Sequence, residues 1–169
     1  MHFNNCFQPG SVYYKRKFMR IVLQRVTEAS VSINDVLKSK IRKGLVLFVG
    51  VEEDDSLEDV QYLTFKISRM RIFADKEGKM NLSLADLLDT KVLVISQFTL
   101  FASTRKGNRP SFIGAAKPEF AKMMYEMFCI ELEKDCGSKV LTGVFGADMK
   151  VSLINDGPVT IIMDSKLKE

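Results

Sequence analysis

The stretch KVLVISQFTLFAST, residues 91–104, puts hydroxyls and an amide where a buried strand should end. Val92–Ile95 is apolar throughout, and Ser96, Gln97 and Thr99 follow it with Phe98 between them. Polar groups at the end of a central strand must find partners or line a cleft. In one reading, neighbouring backbone satisfies them. In the other, they line a pocket with Phe98 as its apolar wall. The chemistry open to such a pocket is narrow. The chain's one histidine is His2, so Ser-His-Asp and Cys-His catalysis lack a base, and no G-x-S-x-G occurs. No H-E-x-x-H or Cys/His cluster offers a transition-metal site. Gly107, Gly114, Gly143 and Gly146 fit neither a P-loop nor a dinucleotide turn. An enzyme built from these residues works with hydroxyls, amides, backbone dipoles and groups of the substrate itself; neither a cofactor nor a metal is expected.

A second stretch, VSLINDGPVTIIMDS (151–165), reads as a strand, a break and a strand. Asp156-Gly157 is ordinary turn material, yet Pro158 follows at once, and proline removes a ladder donor and restricts its predecessor. A plain loop with a trans proline is the simple reading. The tight Gly157-Pro158 break is also a candidate cis site. Its two carbonyls would then face one way, able to read an ammonium group while leaving no space on one side of its α-carbon.

The elements that must hold these stretches follow from periodicity. RIVLQRVTEASVSIND alternates as one or two strands with Asn34-Asp35 as turn, Val36–Ile41 returns, and GLVLFVGV is a buried strand. DDSLEDVQYLTFKISRM changes to a helical period, with Asp55 or Ser56 as cap and Leu57, Val60, Leu63, Ile67 and Met70 on one face. RIFAD is a short strand. Pro118 opens a second helix that Gly137 closes, with Phe120, Met123, Met124, Met127 and Phe128 facing inward. Strands at 139–142, 149–154 and 159–163 end the pattern. Hairpin-like runs with two inserted helices predict an α+β fold, a compact single domain of mostly antiparallel sheet in layers. The acidic run GVEEDDSLED reads as carboxylates that cap and solvate a helix start.

Composition sets the remaining bounds. The 169 residues suit one domain, and 46% hydrophobic with 27% charged residues is globular. No apolar run approaches a membrane span. Three cysteines, Cys6, Cys129 and Cys136, make an odd set without a C-x-x-C pair, so a reducing, cytoplasmic setting is expected. The net charge of +4 permits an anionic partner such as RNA without requiring one. Residues 1–18 have three basic and no acidic residues and no apolar core; they read as a leader or loose tail. The domain is expected over 19–165, with 166–169 as a charged tail.

SQFTL (96–100) and NDGPVT (155–160) together resemble the paired signatures of the D-aminoacyl-tRNA deacylase family. The resemblance runs from Met19 across nearly the whole chain, through MRIVLQRVTEASVSI, GKMNLS (78–83), TRKGNRPSF (104–112) and FGADMKVSLINDGPVT (145–160), in the expected order. LADLLDT (84–90) departs from it, lacking an expected glycine pair before the signature strand. The resemblance implies hydrolysis of the ester joining a D-amino acid, and plausibly glycine, to the terminal ribose of tRNA, a proofreading step in translation. It implies a two-fold homodimer in which a cis Gly157-Pro158 serves the partner's pocket as a backbone gate against L side chains. Ser96, Gln97 and Thr99 would then be catalytic. Phe98, Met149, Asn155, Gly157 and Pro158 would meet the substrate, and Arg25 and Thr160 would support the Gly-Pro element. Arg105, Lys106 and Arg109 would touch tRNA phosphates. Thr99 lacks a visible base, so water aided by the free ribose hydroxyl is the preferred attack. The competing reading is a nucleic-acid-binding homodimer of the same fold without hydrolysis; a protein-interaction module is a third.

Overall fold

The computed structural model describes residues 19–167. The expected leader, with His2 and Cys6, and the last two residues of the tail lie outside the described residues. β1 (Arg20–Ile33), β2 (Val36–Ile41) and β3 (Gly44–Gly50) lead to helix α1 (Leu57–Arg69). A small hairpin, β4 (Phe73–Ala74) and β5 (Met80–Leu82), precedes β6 (Lys91–Ser96). Helix α2 (Pro118–Cys136), β7 (Val140–Thr142) and the long β8 (Lys150–Asp164) complete the chain. The main sheet runs β2-β1-β3-β6-β7, with β8 along the other edge of β1.

Local chemistry sets the element ends. Asn34 and Asp35 both take positive φ at the β1–β2 tip, as a two-residue hairpin loop demands. Ser56 caps α1, its N–H and hydroxyl both donating to the Asp59 carboxylate at 2.8 Å. Pro118 starts α2 and Gly137, at φ 63°, stops it. The 84–90 stretch forms a 3₁₀ turn over Leu84–Asp86, capped by Ser83 and Asp86 in the same manner.

The α+β class and the single domain with two helices are as expected, but the sheet is mixed. β1 pairs antiparallel with β2, β3 and β8, whereas β3, β6 and β7 run parallel to one another. The physical reason is that α1 and α2 are crossovers: each carries the chain back to start the next strand alongside the last. Both helices cover one face of the sheet, and Tyr125 of α2 donates to the buried Val94 carbonyl at 2.8 Å. The other face curls around a second apolar cluster that includes Val26, Val31, Val46, Leu93 and Ile95.

Several local expectations need correction. Strands expected at 149–154 and 159–163 are one strand, β8, interrupted in register but not in course. Leu57 and Met123 are exposed at 45% and 48%, while the α1 face is completed by buried Thr64 and Ser68; Thr64 reaches Asp135 of α2 at 2.7 Å. The carboxylates after β3 divide: Glu53, Asp54 and Glu58 are exposed, whereas Glu52, Asp55 and Asp59 are buried. Distant segments meet this stretch, Ala116 donating to Val51, Lys117 to Glu53, and Lys166 pairing with Asp59 at 3.5 Å.

Burial pushes the Asp55 carboxyl up to about 7, against the hydrogen bond it accepts from the Glu52 N–H and aided by the charge of Asp59. The folded state thus keeps a proton that the unfolded chain releases near 3.8. Stability falls as pH rises between those two values. Asp55→Asn is therefore expected to raise Tm at about pH 8 and change it little at about pH 4.5, as thermal melts at both would record.

Candidate active site

A cavity of about 290 Å³ opens at the carboxyl ends of the parallel strands, where sheets with crossover helices place ligand sites. Its position follows from unequal strand lengths. β7 pairs with β6 only as far as Val94, while β3 continues to Ser96. Ile95 and Ser96 therefore border open space where β7 would have gone. The chain instead turns away, and Phe145–Met149 returns as the facing wall.

Ser96, Gln97, Phe98 and Met149 line this cavity together. Gln97 follows β6, and its N–H donates to the Val49 carbonyl at 2.8 Å. A 3₁₀ turn, Phe98–Phe101, follows. It packs so closely on β3 that a Cβ on Gly50 would lie 2.8 Å from the Phe101 ring and 3.1 Å from the Gln97 carbonyl. Thr99 does not line the cavity; its hydroxyl accepts from the Gln97 side-chain amide. Phe98 is a wall on one side only, 59% exposed and edge-to-face with Phe112 at 5.3 Å.

Asn155, Gly157 and Pro158 form a separate cluster and do not line the cavity of their own chain. The Gly157-Pro158 bond is cis. In the β1–β8 register Gln24 faces Thr160 and Val26 faces Asn155, so residues 156–159 stand opposite Arg25 alone. The resulting corner is exposed and held at its base. Arg25 Nε donates to the Asp156 carbonyl at 3.1 Å and pairs with its carboxylate at 3.0 Å. The same guanidinium donates to the Ile72 carbonyl. With its side chain only 13% exposed, Arg25 is not a surface cation. Asn155 Nδ2 bridges the corner, donating to Arg25 O at 2.9 Å and Val159 O at 3.1 Å. Thr160 accepts from Gln24 at 3.1 Å.

Arg105, Lys106 and Arg109 are exposed on the loop after the 3₁₀ turn, which a Ser103–Ser111 bridge closes. Sequence reasoning missed the cavity's remaining wall, notably Ala116, Phe145 and Asp148; no periodic signal marks such loop residues. Among the described residues, no group of three or more His, Cys, Asp or Glu is arranged to hold a metal ion, and no helix is long and apolar enough to cross a membrane.

The cavity thus joins an uncharged polar strand end, Ser96-Gln97, to apolar walls and one carboxylate, Asp148, while the Gly157-Pro158 corner lies apart from it on the same chain. The family model described as D-Tyr-tRNA(Tyr) deacylase matches residues 22–164. Curated relatives named D-aminoacyl-tRNA deacylase from Flavobacterium johnsoniae and Bacteroides thetaiotaomicron are each 56% identical over 151 residues, 89% of this chain and all of theirs. A solved structure titled c-Myc DNA Unwinding Element Binding Protein is 37% identical with a TM-score of 0.80, covering 86% of this chain and 97% of its own. A probable eukaryotic D-amino acid tRNA deacylase, 19% identical with a TM-score of 0.75, shares the fold. The chain belongs to the D-aminoacyl-tRNA deacylase family of ester hydrolases.

Proposed function

We propose that this protein hydrolyses the ester joining a D-amino acid, or glycine, to the terminal ribose of tRNA, releasing free tRNA and the amino acid. It works as a two-fold homodimer in which Gly157 and Pro158 of the partner subunit close the cavity lined by Ser96, Gln97 and Phe98. The observation that carries this reading is the exposed Gly-Pro corner, braced by Arg25 and Asn155 yet outside its own chain's cavity. A rigid corner so displayed is complementary to an open cavity on a second copy. Its backbone bars an L side chain while a D side chain points outward, so selection acts by exclusion and tolerates varied side chains. Asn155 and Thr160 shape the corner. Arg105, Lys106 and Arg109 take phosphates of the acceptor end. The cytoplasm, where charged tRNA is used, is the proposed location.

The step follows from the groups at hand. Water, with its proton drawn toward the free ribose hydroxyl, attacks the ester carbonyl. A C–O bond to water forms, negative charge builds on the carbonyl oxygen, and the bond to the ribose oxygen breaks as that oxygen takes the proton. The Gln97 N–H is engaged by Val49; the leading N–H groups of the 3₁₀ turn, those of Phe98 and Thr99, have no partner within the turn. With the Ser96 hydroxyl, these stabilise the oxyanion, and losing one such donor costs about 3 kcal/mol. Water is preferred over Thr99 as the nucleophile: no base adjoins the Thr99 hydroxyl, whose oxygen accepts the Gln97 amide. Thr99→Ala is expected to keep the single-turnover rate within about threefold of the parent; complete loss with tRNA binding intact would restore the nucleophile.

The deciding measurement compares D- and L-aminoacyl forms of one tRNA. Rapid release from the D form alone supports the reading. Binding of both with release of neither favours the nucleic-acid-binding homodimer, the reading to which the name of the 37%-identical structure lends weight.

A further inference from the structure

We propose that a row of unpaired cations at the amino ends of the parallel strands, Arg42, Lys43, Lys91 and Lys139, seats the acceptor-stem duplex of the tRNA while its esterified end occupies the cavity at the other end of the same strands. This inference rests on the proposed deacylase reading but concerns a separate surface. Lys43 ends the turn into β3, Lys91 opens β6 and Lys139 precedes β7. Backbone bonds hold them abreast. The Lys91 N–H donates to the Lys43 carbonyl at 3.4 Å and the Val92 N–H to the Lys139 carbonyl at 3.2 Å. Gly44 permits this closeness, since a Cβ there would collide with the Lys91 carbonyl. All four side chains are exposed and make no ion pair, hydrogen bond or ring contact among the described residues.

Such a row is costly on its own. Neighbouring strands stand about 4.8 Å apart, and like charges facing each other across strands are destabilising. Several cations elsewhere are matched: Lys40 pairs with Glu28, Lys122 with Glu126, Lys134 with Glu131 and Lys150 with Asp35. The carboxylates nearest the row in sequence leave it unneutralised. Glu133 accepts from the Val140 N–H at 3.0 Å, Asp135 takes the Thr64 hydroxyl at 2.7 Å, and Asp89 is exposed and pairs with no cation among the described residues. A polyanion relieves the repulsion and gives up its counterions in exchange. The substrate is one. Its ester lies at the tip of a few unpaired nucleotides, so the first duplex phosphates stand back from the cavity instead of beside it. β6 runs six residues from Lys91 to Ser96, which sets the row about 17 Å from the polar strand end. Duplex RNA is held through its phosphates and shape, and such contacts position without reading sequence. The loop of Arg105, Lys106 and Arg109 is left for the unpaired end.

The test combines Lys43→Gln, Lys91→Gln and Lys139→Gln, assayed on D-aminoacyl-tRNA and on the same D-amino acid esterified to adenosine alone. The triple variant is expected to raise KM for the tRNA ester about tenfold or more, with kcat within about twofold of the parent. Its kcat/KM should fall with salt along a log–log slope shallower by about 2–3, roughly one per phosphate contact removed. On the adenosine ester it should match the parent within about twofold. A matched triple, Lys40→Gln, Lys122→Gln and Lys134→Gln, removes cations already paired with carboxylates and should keep the parent's KM and slope. Lys139→Gln alone should take about one from the slope, which keeps the test open if the triple variant does not fold. A parent-like slope in the row variants, an equal loss on both esters by a folded variant, or the same loss in the matched triple overturns the assignment. So does an unchanged tRNA slope with lost binding to phosphatidylserine vesicles, which would make the row a membrane surface. If the parent cleaves neither ester, the deacylase reading fails by itself. The row is then decided by binding of uncharged tRNA, where the same slope difference supports it and its absence overturns it.

Discussion

Gly157→Ala is expected to lower kcat/KM for D-aminoacyl-tRNA by about a hundredfold, the effect of a displacement approaching 1 Å at a positioning group. A Cβ at this position would lie 2.6 Å from Asn155 Oδ1, too close for any contact. Asn155 cannot simply swing away, because its amide nitrogen donates to Arg25 O and Val159 O, the two bonds that bridge the corner. Either the corner shifts or those bonds are lost. Each bond is worth about 1 kcal/mol net, so Tm should drop only a few degrees while the rate collapses. Steady-state assays on D-aminoacyl-tRNA beside a thermal melt measure both quantities. Parent-like rates in the variant would remove the corner from the site.

Arg25→Ala is expected to harm stability and activity together. The side chain ties three segments: the Asp156 backbone and carboxylate on β8, the Ile72 carbonyl before β4, and its own place on β1. Ile72 is buried, so truncation leaves its carbonyl without a donor and Asp156 without a counter-charge. An unsatisfied buried group costs about 1–3 kcal/mol, and for a domain this size each kcal/mol shifts Tm by about 2–4 °C. The corner loses the donor that fixes its start, and kcat/KM should fall about tenfold or more. Arg25→Lys, a point charge without the planar fork, cannot serve both carbonyls and is expected to recover stability only in part. Thermal melts and D-aminoacyl-tRNA kinetics on both variants provide the check; an unchanged Tm in Arg25→Ala would contradict the bracing role.

The sequence by itself determined what depends on neighbours in the chain. The hairpin tip at Asn34-Asp35, the Ser56/Asp59 cap, and the Pro118 and Gly137 limits of α2 are local backbone chemistry, legible from a few residues. So is the polar end of the buried strand at Ser96-Gln97. Family membership was legible too, since collinear motifs survive without knowledge of the fold. Tertiary structure alone decided what depends on residues far apart. Parallel pairing of β3 with β6 joins strands separated by all of α1 and the β4–β5 hairpin, and no alternation pattern records strand direction. Burial of Glu52, Asp55 and Asp59 inside an acidic run depends on segments brought from far along the chain, such as Lys166, which pairs with Asp59 at 3.5 Å. The burial of Arg25 was not legible either, because its partners Ile72 and Asp156 lie 47 and 131 residues away; only the family resemblance pointed to its place beside the Gly-Pro element. Asp148 showed its place only when β7 ended short and the chain returned past Ser96 as a wall. Sequence patterns report the covalent neighbourhood of a residue, whereas burial and charge balance are set by whatever packing brings beside it.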